Sequence, residues 1–312
     1  MATKLLIIGG VAGGASAAAR ARRMDETAEI VIFERGNYIS FANCGLPYYV
    51  AGEIEERDDL IVATPEMFKT RFNVEVRLMS EVIKIDRENK QLEVRNLASG
   101  ETYSESYDKL ILSPGAEPIR PPLEGVDNDG IFTLRNIPDV DRIKHWVDEH
   151  KPENAVVVGG GFIGLEMTES LAARGVKVSL VELLDQIMPP ADPEMVVFVQ
   201  DHMVEKGVDL RLEQKVEKFY KNDEDRLVVV TSKGEIECDI VILSIGVKPE
   251  NKLAKDAGLE LGDRGGVMTD ETMRTSDKNI FAVGDCIQTK NFITGGPAQV
   301  PLAGPANRQG RI

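Results

Sequence analysis

An apolar strand, a glycine-rich turn, a helix and a second strand ending in glutamate occur twice in these 312 residues, and this recurrence restricts the fold more than any other feature. The first copy begins with a strand at Lys4 to Ile8. It passes through Gly9 to Gly14 into an Ala-rich helix ending near Met24, and then into a strand from Glu29 to Glu34. About 150 residues later the strand Ala155 to Val158 leads through Gly159, Gly161 and Gly164 into a helix from about Phe162 to Arg174. Gly175 ends that helix, and the strand Lys177 to Glu182 follows. Strands alternating with helices predict parallel βαβ units, so the chain reads as an α/β protein with two nucleotide-binding units.

Glycine is needed where such a strand turns into a helix, because a pyrophosphate must come close to unpaired N–H groups at the positive end of the helix dipole. Gly159, Gly161 and Gly164 form an unbroken G-x-G-x-x-G, whereas Gly9, Val11 and Gly14 occupy those positions in the first copy, with the middle glycine replaced. Each second strand ends in a carboxylate where a ribose 2′-hydroxyl needs an acceptor: Glu34 stands 20 residues after Gly14, and Glu182 stands 18 after Gly164. No Lys or Arg occurs from Leu183 to Pro190, which favours NADH over NADPH, since a 2′-phosphate would meet a carboxylate. Two dinucleotide sites in one chain suggest hydride passing from a nicotinamide to a flavin, with the protein holding them in register.

Strand-like runs at Val74 to Leu78, Val82 to Ile85, Gln91 to Arg95 and Lys109 to Leu112 lie between the copies. The Pro-rich stretch Pro114 to Pro122 then reads as a crossover between domains. After the second copy come Leu227 to Thr231 and Ile240 to Ile245, closed by Gly246 to Pro249 much as Pro114 to Pro118 closes the first half. A helix begun near Pro305 reaches Ile312 without a stop signal, so a longer parent chain is expected.

With 52 acidic against 37 basic residues the net charge is -15, a field that repels nucleic acids and anionic lipid surfaces. No basic patch and no run of eighteen apolar residues offsets it, so neither a nucleic-acid partner nor a membrane span is expected. Met1 to Ala21 shares some features of a signal peptide, but a buried strand followed by a glycine turn accounts for them better. Cys44, Cys238 and Cys286 are an odd number without C-x-x-C spacing, which argues against a disulfide scaffold or zinc site and fits a reducing cytoplasm. His145, His150 and His202 read as solvated helix residues, and no metal site is expected.

Thr275 to Asp285 reads as a strand ending in Gly284-Asp285. Together with the two glycine turns, the segment around Cys44 and the final helix, it makes essentially the whole chain resemble the FAD-dependent pyridine nucleotide-disulfide oxidoreductase family. The resemblance implies a glutathione reductase-like pair of Rossmann-like domains: an FAD-binding domain from residues 1–117 and 247–312, and an NADH-binding domain, 118–246, inserted between them. It also implies a C-terminal interface domain, absent from these residues, through which members form homodimers. By the same resemblance Asp285 binds the flavin's ribityl chain, and the run Pro301 to Arg311 points a helix N-terminus at the flavin pyrimidine. Phe162 corresponds to an aromatic gate over the flavin, although helix packing accounts for it comparably well, and Glu166 corresponds to a carboxylate near the nicotinamide. The remaining cofactor-binding candidates are Gly9, Val11, Ala12, Gly13, Gly14, Glu34, Arg35, Asn43, Gly115, Gly159, Gly161, Ile163, Gly164, Glu182, Gly246, Gly284, Pro301 and Ala303.

Ser40-Phe41-Ala42-Asn43-Cys44-Gly45-Leu46-Pro47-Tyr48 holds one cysteine where dithiol members carry C-x-x-x-x-C. The segment resembles the coenzyme A-disulfide reductase and persulfide-reducing branch. That resemblance implies an enzyme passing electrons from NADH through FAD to Cys44, which cycles between thiolate and a mixed disulfide while reducing coenzyme A disulfide, coenzyme A persulfide or polysulfide. Ser40 and Asn43 would hold the thiol substrate, with Arg20, Arg23 and Arg71 on its phosphates, although Arg20 and Arg23 equally suit a helix C-terminal dipole. Cys238, within the strand-like Glu237 to Leu243, and Cys286 read as inert buried thiols. Single-cysteine NADH oxidases and peroxidases usually carry a histidine in the first glycine loop; Gly10-Val11-Ala12-Gly13 has none, which disfavours sulfenic acid chemistry. An electron-transfer reductase for a protein partner is the other alternative.

Overall fold

The computed structural model of the protein describes residues 2–312. The first copy of the repeat forms β1 (Lys4–Ile8), α1 (Gly13–Met24) and β2 (Glu29–Phe33). A short helix, α2 (Leu46–Ala51), precedes β3 (Glu75–Arg77) and β4 (Lys109–Leu112). The second half contains β5 (Ile131–Phe132), α3 (Ile137–His150), β6 (Asn154–Val158), α4 (Phe162–Ala173), β7 (Lys177–Val181), β8 (Asp209–Arg211) and β9 (Ile240–Leu243). Beyond it lie β10 (Ile280–Ala282) and α5 (Ala303–Gln309).

Two compact units result, one made of residues up to Phe41, Ile61–Glu117 and Lys248–Ile312, the other of Ala42–Leu60 and Pro118–Val247. Their sheets correspond strand for strand. The first has the order β10-β4-β1-β2-β3 and the second β5-β9-β6-β7-β8, with every pairing parallel. Each copy also places a three-stranded antiparallel sheet just before its β4 or β9 strand: Ser80–Asp86, Gln91–Asn96 and Thr102–Ser106, then Val216–Lys221, Leu227–Thr231 and Gly234–Cys238. Parallel strands are covered on both faces, which is why their sequences are unbroken apolar runs. Leu6, Ile7, Val31 and Ile32 are fully buried in one unit, and Val156, Val157, Val241 and Ile242 in the other, each contributing about 1.5–3 kcal/mol.

The first unit differs from the expected continuous block 1–117 at residues 42–60, which pack in the second unit instead. Arg57 grips the Asp141 carboxylate through Nε at 2.9 Å and Nη2 at 2.7 Å. Arg174 donates to the Val50 carbonyl at 3.0 Å and to Asp148 at 2.6 Å, and the Lys144 ammonium lies 5.1 Å from the Tyr49 ring centre. Through these ties α2 packs on α3 and α4. The partners are 84 and 124 residues away along the chain, beyond the reach of any local pattern.

Two further expectations change in detail. The predicted strand Thr275 to Asp285 shortens to β10, because Thr275 Oγ1 accepts from the Asp277 amide at 3.1 Å and Asp277 Oδ1 from the Asn279 amide at 2.9 Å, closing tight turns. Glu237 to Leu243 is two strands of different sheets, parted at Asp239, whose Oδ2 accepts from the Glu153 and Asn154 amides. Among the described residues no helix is long and apolar enough to cross a membrane.

Candidate active site

Both glycine turns are built the same way. The Gly9 amide donates to the Phe33 carbonyl and the Gly159 amide to the Val181 carbonyl, both at 2.8 Å. Gly9 has φ +89° and Gly159 φ +104°, and a Cβ on either would lie 2.1 Å from the Ser113 carbonyl oxygen or 2.5 Å from that of Ser244. Where the helices start, a Cβ on Gly14 would lie 1.9 Å from the Gly9 oxygen, and one on Gly164 2.0 Å from the Gly159 oxygen. These four glycines are therefore demanded by backbone packing.

The two strand-end carboxylates also repeat. Glu34 accepts from the Gly10 amide at 3.1 Å and the Gly36 amide at 2.9 Å; Glu182 accepts from the Gly160 amide at 2.6 Å and the Leu184 amide at 2.9 Å. Each glutamate thus clamps its own glycine loop, and Glu182 is buried while doing so. Gly10 and Gly160 were not expected here. Neither were Ser113, whose Oγ accepts from the Gly14 amide at 3.1 Å, and Ser244, whose Oγ donates to the Val158 carbonyl at 3.0 Å. A signal existed: Leu112-Ser113-Pro114-Gly115 and Leu243-Ser244-Ile245-Gly246 share Leu-Ser-x-Gly. Gly115 and Gly246 both have positive φ there.

Gly161 is different. A Cβ on it would meet nothing within 4 Å, so protein packing does not explain the glycine, whereas a closely approaching pyrophosphate does. Neither α1 nor α4 has a side-chain cap or an acidic residue in its first turn, unlike α3 with its Asn136 capping box and Asp139. Phosphate oxygens are the natural acceptors for such bare amides. The residues present, with Val11, Ala12 and Ile163 in the two turns, fit two dinucleotides.

In the first unit the Gly284 turn and α5 come together with α1. Gln309 Oε1 accepts from the Gly284 amide at 2.8 Å, and Ser16 Oγ donates to Asn307 Oδ1 at 2.8 Å. Gly13 and Gly310 allow the close packing, since a Cβ on Gly310 would lie 2.4 Å from the Gly13 oxygen. Asp285 is half-buried beside this junction, and Pro301 and Ala303 lie at the exposed, uncapped start of α5. Ser40 Oγ donates to the Val11 carbonyl at 3.1 Å and is buried, so its first task is to hold the glycine turn. Arg35 pairs with Glu250 through both nitrogens, at 2.5 and 2.7 Å. Arg20, Arg23 and Arg71 are exposed, with Arg71 5.8 Å from the Phe72 ring centre. The neighbouring Arg22 satisfies the end of α1: it donates to the carbonyls of Asp25, Glu26, Ala28, Phe72 and Asn73.

In the second unit Asn43 and Cys44 are exposed in a 3₁₀ turn (Asn43–Gly45) that runs directly into α2. Phe162, the first residue of α4, is 54% exposed, and Glu166 lies one turn further along, half-buried. Burial, then the charge of Glu169, raises the Glu166 carboxyl above its ordinary range. The other two cysteines are buried, and burial pushes each thiol up to about 12. Below that pH they stay protonated and unreactive. Titrating the native protein with a thiol reagent at pH 8 is expected to modify Cys44 alone, with Cys238 and Cys286 reacting only after denaturation. The three histidines are exposed on α3 and on the helix Pro193–Glu205. Among the described residues no cluster of His, Cys, Asp and Glu could hold a metal.

A family model described as pyridine nucleotide-disulphide oxidoreductase matches residues 3–308. The chain belongs to this family. Its relatives within the family include the coenzyme A disulfide reductase of Staphylococcus haemolyticus, 38% identical over 98% of this chain and 68% of that protein. Among solved structures, reduced Bacillus anthracis CoADR-RHD superposes with TM-score 0.97 at 51% identity over 100% of this chain and 56% of that one. An NAD-dependent persulfide reductase from A. fulgidus gives TM-score 0.95 at 38% identity over 99% of this chain and 57% of the other. The chain therefore spans just over half the length of these two solved relatives.

Proposed function

We propose that this chain holds the two dinucleotide sites and the redox cysteine of an NADH-dependent flavoprotein that reduces coenzyme A disulfide, coenzyme A persulfide or polysulfide. The unit with Gly9, Gly14, Glu34 and Asp285 takes FAD; the unit with Gly159, Gly161, Gly164 and Glu182 takes NADH. Buried Glu182 disfavours a 2′-phosphate, which supports NADH over NADPH. When bound, the flavin supplies a two-electron relay between nicotinamide and sulfur. Cys44 supplies the nucleophile: its thiolate attacks a substrate sulfur, forms a mixed disulfide and releases one thiol. Asn43 beside it and exposed Arg20, Arg23 and Arg71 are candidates to hold the substrate's amide and phosphate groups. By the family resemblance the enzyme is a homodimer, and its unpaired thiols suit the cytoplasm.

The observation that carries this reading is that, of three cysteines, only Cys44 is exposed, and it sits in the turn that starts a helix. It supports a thiol that meets external sulfur, not one that pairs within the chain. The test is intact-protein and peptide mass spectrometry after exposure to coenzyme A disulfide. One coenzyme A on Cys44, released when NADH is added to flavin-loaded protein, is the expected result. A modified Cys44 that NADH does not free, or no adduct at all, would overturn it. Oxygen or peroxide consumption with NADH alone would indicate the oxidase alternative instead.

A further inference from the structure

Five residues after each strand-end glutamate stands an isoleucine, Ile39 after Glu34 and Ile187 after Glu182, and both are fully buried. The residues between have nothing in common: Arg35-Gly36-Asn37-Tyr38 in one copy, Leu183-Leu184-Asp185-Gln186 in the other. Each isoleucine packs against the second glycine of its own turn. A Cβ on Gly10 would lie 2.7 Å from Ile39 Cγ1, and one on Gly160 would lie 2.7 Å from Ile187 Cγ2. Neither glycine has a positive φ, so contact, not backbone conformation, excludes a side chain there.

The contact is one of three that hold each turn. Glu34 and Glu182 take the amides of Gly10 and Gly160, and the isoleucine fills the space beside the same residue. The next residue completes the hold: Ser40 Oγ donates to the Val11 carbonyl at 3.1 Å, and the Met188 amide donates to the Gly160 carbonyl at 2.8 Å. Met188 does so at φ +48°, a conformation that costs free energy for a residue with a Cβ and persists only where its surroundings enforce it. Gln200, on the helix Pro193–Glu205, accepts from the Ile187 amide through Oε1 at 3.2 Å and fixes the isoleucine in turn. FAD and NADH differ at their reacting ends but share an adenosine joined to a pyrophosphate. A hold repeated in both units at the same spacing, with unrelated residues between, suits that shared part.

We propose that Ile39 and Ile187 are positioning residues for dinucleotide binding, each keeping the second glycine of its turn where the rest of the turn can receive a pyrophosphate. This rests on the first unit taking FAD and the second NADH. Side-chain shape matters more than volume. At position 187 the Cγ2 branch is what touches Gly160, so a leucine, equal in volume but branched one carbon further out, leaves the turn unsupported. A methyl group on residue 160 would then fill the gap.

The test uses flavin-loaded protein and follows the rate of flavin bleaching against NADH concentration by stopped flow. Ile187→Leu is expected to raise the half-saturating NADH concentration about five-fold with the limiting rate unchanged, the pattern of lost binding and not of lost chemistry. Gly160→Ala, which forces its methyl against Ile187 and Glu182, is expected to raise it about ten-fold. The double substitution is expected to bring it back to within about two-fold of the original, because the added methyl takes the place of Cγ2. In Ile187→Leu the melting temperature should change little, and the flavin retained through gel filtration should not change, since the other unit holds it. An isoleucine that serves only the core would lower the melting temperature and leave half-saturation where it was. That result, or a double variant that binds NADH no better than Gly160→Ala, overturns the proposal. If NADH fails to bleach the flavin of the unaltered protein, the assignment of the second unit to NADH has itself failed, and this proposal with it.

Discussion

Cys44→Ser is expected to lower NADH-dependent turnover of coenzyme A disulfide by about a thousand-fold or more, while NADH still bleaches the flavin absorbance at its original rate. Removing a nucleophile whose covalent intermediate carries the reaction typically costs that much or more. The substituted side chain is exposed in a 3₁₀ turn and packs against little, so the fold should be unaffected. The two readouts separate the stages: hydride transfer needs only the dinucleotide sites, whereas sulfur reduction needs the thiolate. Stopped-flow absorbance and thiol release measure them independently. Full turnover in Cys44→Ser would point to electron transfer to a partner with Cys44 incidental.

The second large effect is a contrast between two glycines of one turn. Gly164→Ala is expected to destabilise the protein by about 3 kcal/mol, because its Cβ would sit 2.0 Å from the Gly159 carbonyl oxygen and 2.8 Å from Ser244 Oγ. Backbone cannot yield there without moving the turn that joins β6 to α4. Gly161→Ala is expected to leave the melting temperature unchanged, since its Cβ meets nothing, while weakening NADH binding about ten-fold or more by occupying the space that a pyrophosphate would use. Thermal denaturation and NADH titration distinguish the two. A Gly161→Ala protein that binds NADH normally would show that the open space has another use.

Much of the fold was readable in advance. Strands Lys4–Ile8, Lys109–Leu112 and Leu227–Thr231 appear with the expected bounds, because apolar runs with polar or turn residues at both ends have few alternative registers. The strand Thr102–Ser106 escaped notice: its alternation of polar residues with a single tyrosine carries little hydrophobic signal. Of the candidate site, the glycine turns, their glutamates and Cys44 were legible because their chemistry is local. Arg22 was overlooked beside Arg20 and Arg23, since its carbonyl partners at Phe72 and Asn73 lie 50 residues away or more.

From the residue order alone came the duplicated βαβ plan, the glycine turns, the carboxylate after each second strand, and one cysteine set apart from the other two by its segment. These depend on periodicity and on the absence of a Cβ, which are properties of neighbouring residues. Only the tertiary structure decided that residues 42–60, and Cys44 with them, pack with the second unit, that each glutamate ties down its own glycine loop, and that α2 packs on α3 and α4. Each of these depends on side chains from distant parts of the chain finding partners once the sheets have formed, and no local pattern encodes which distant partner that will be.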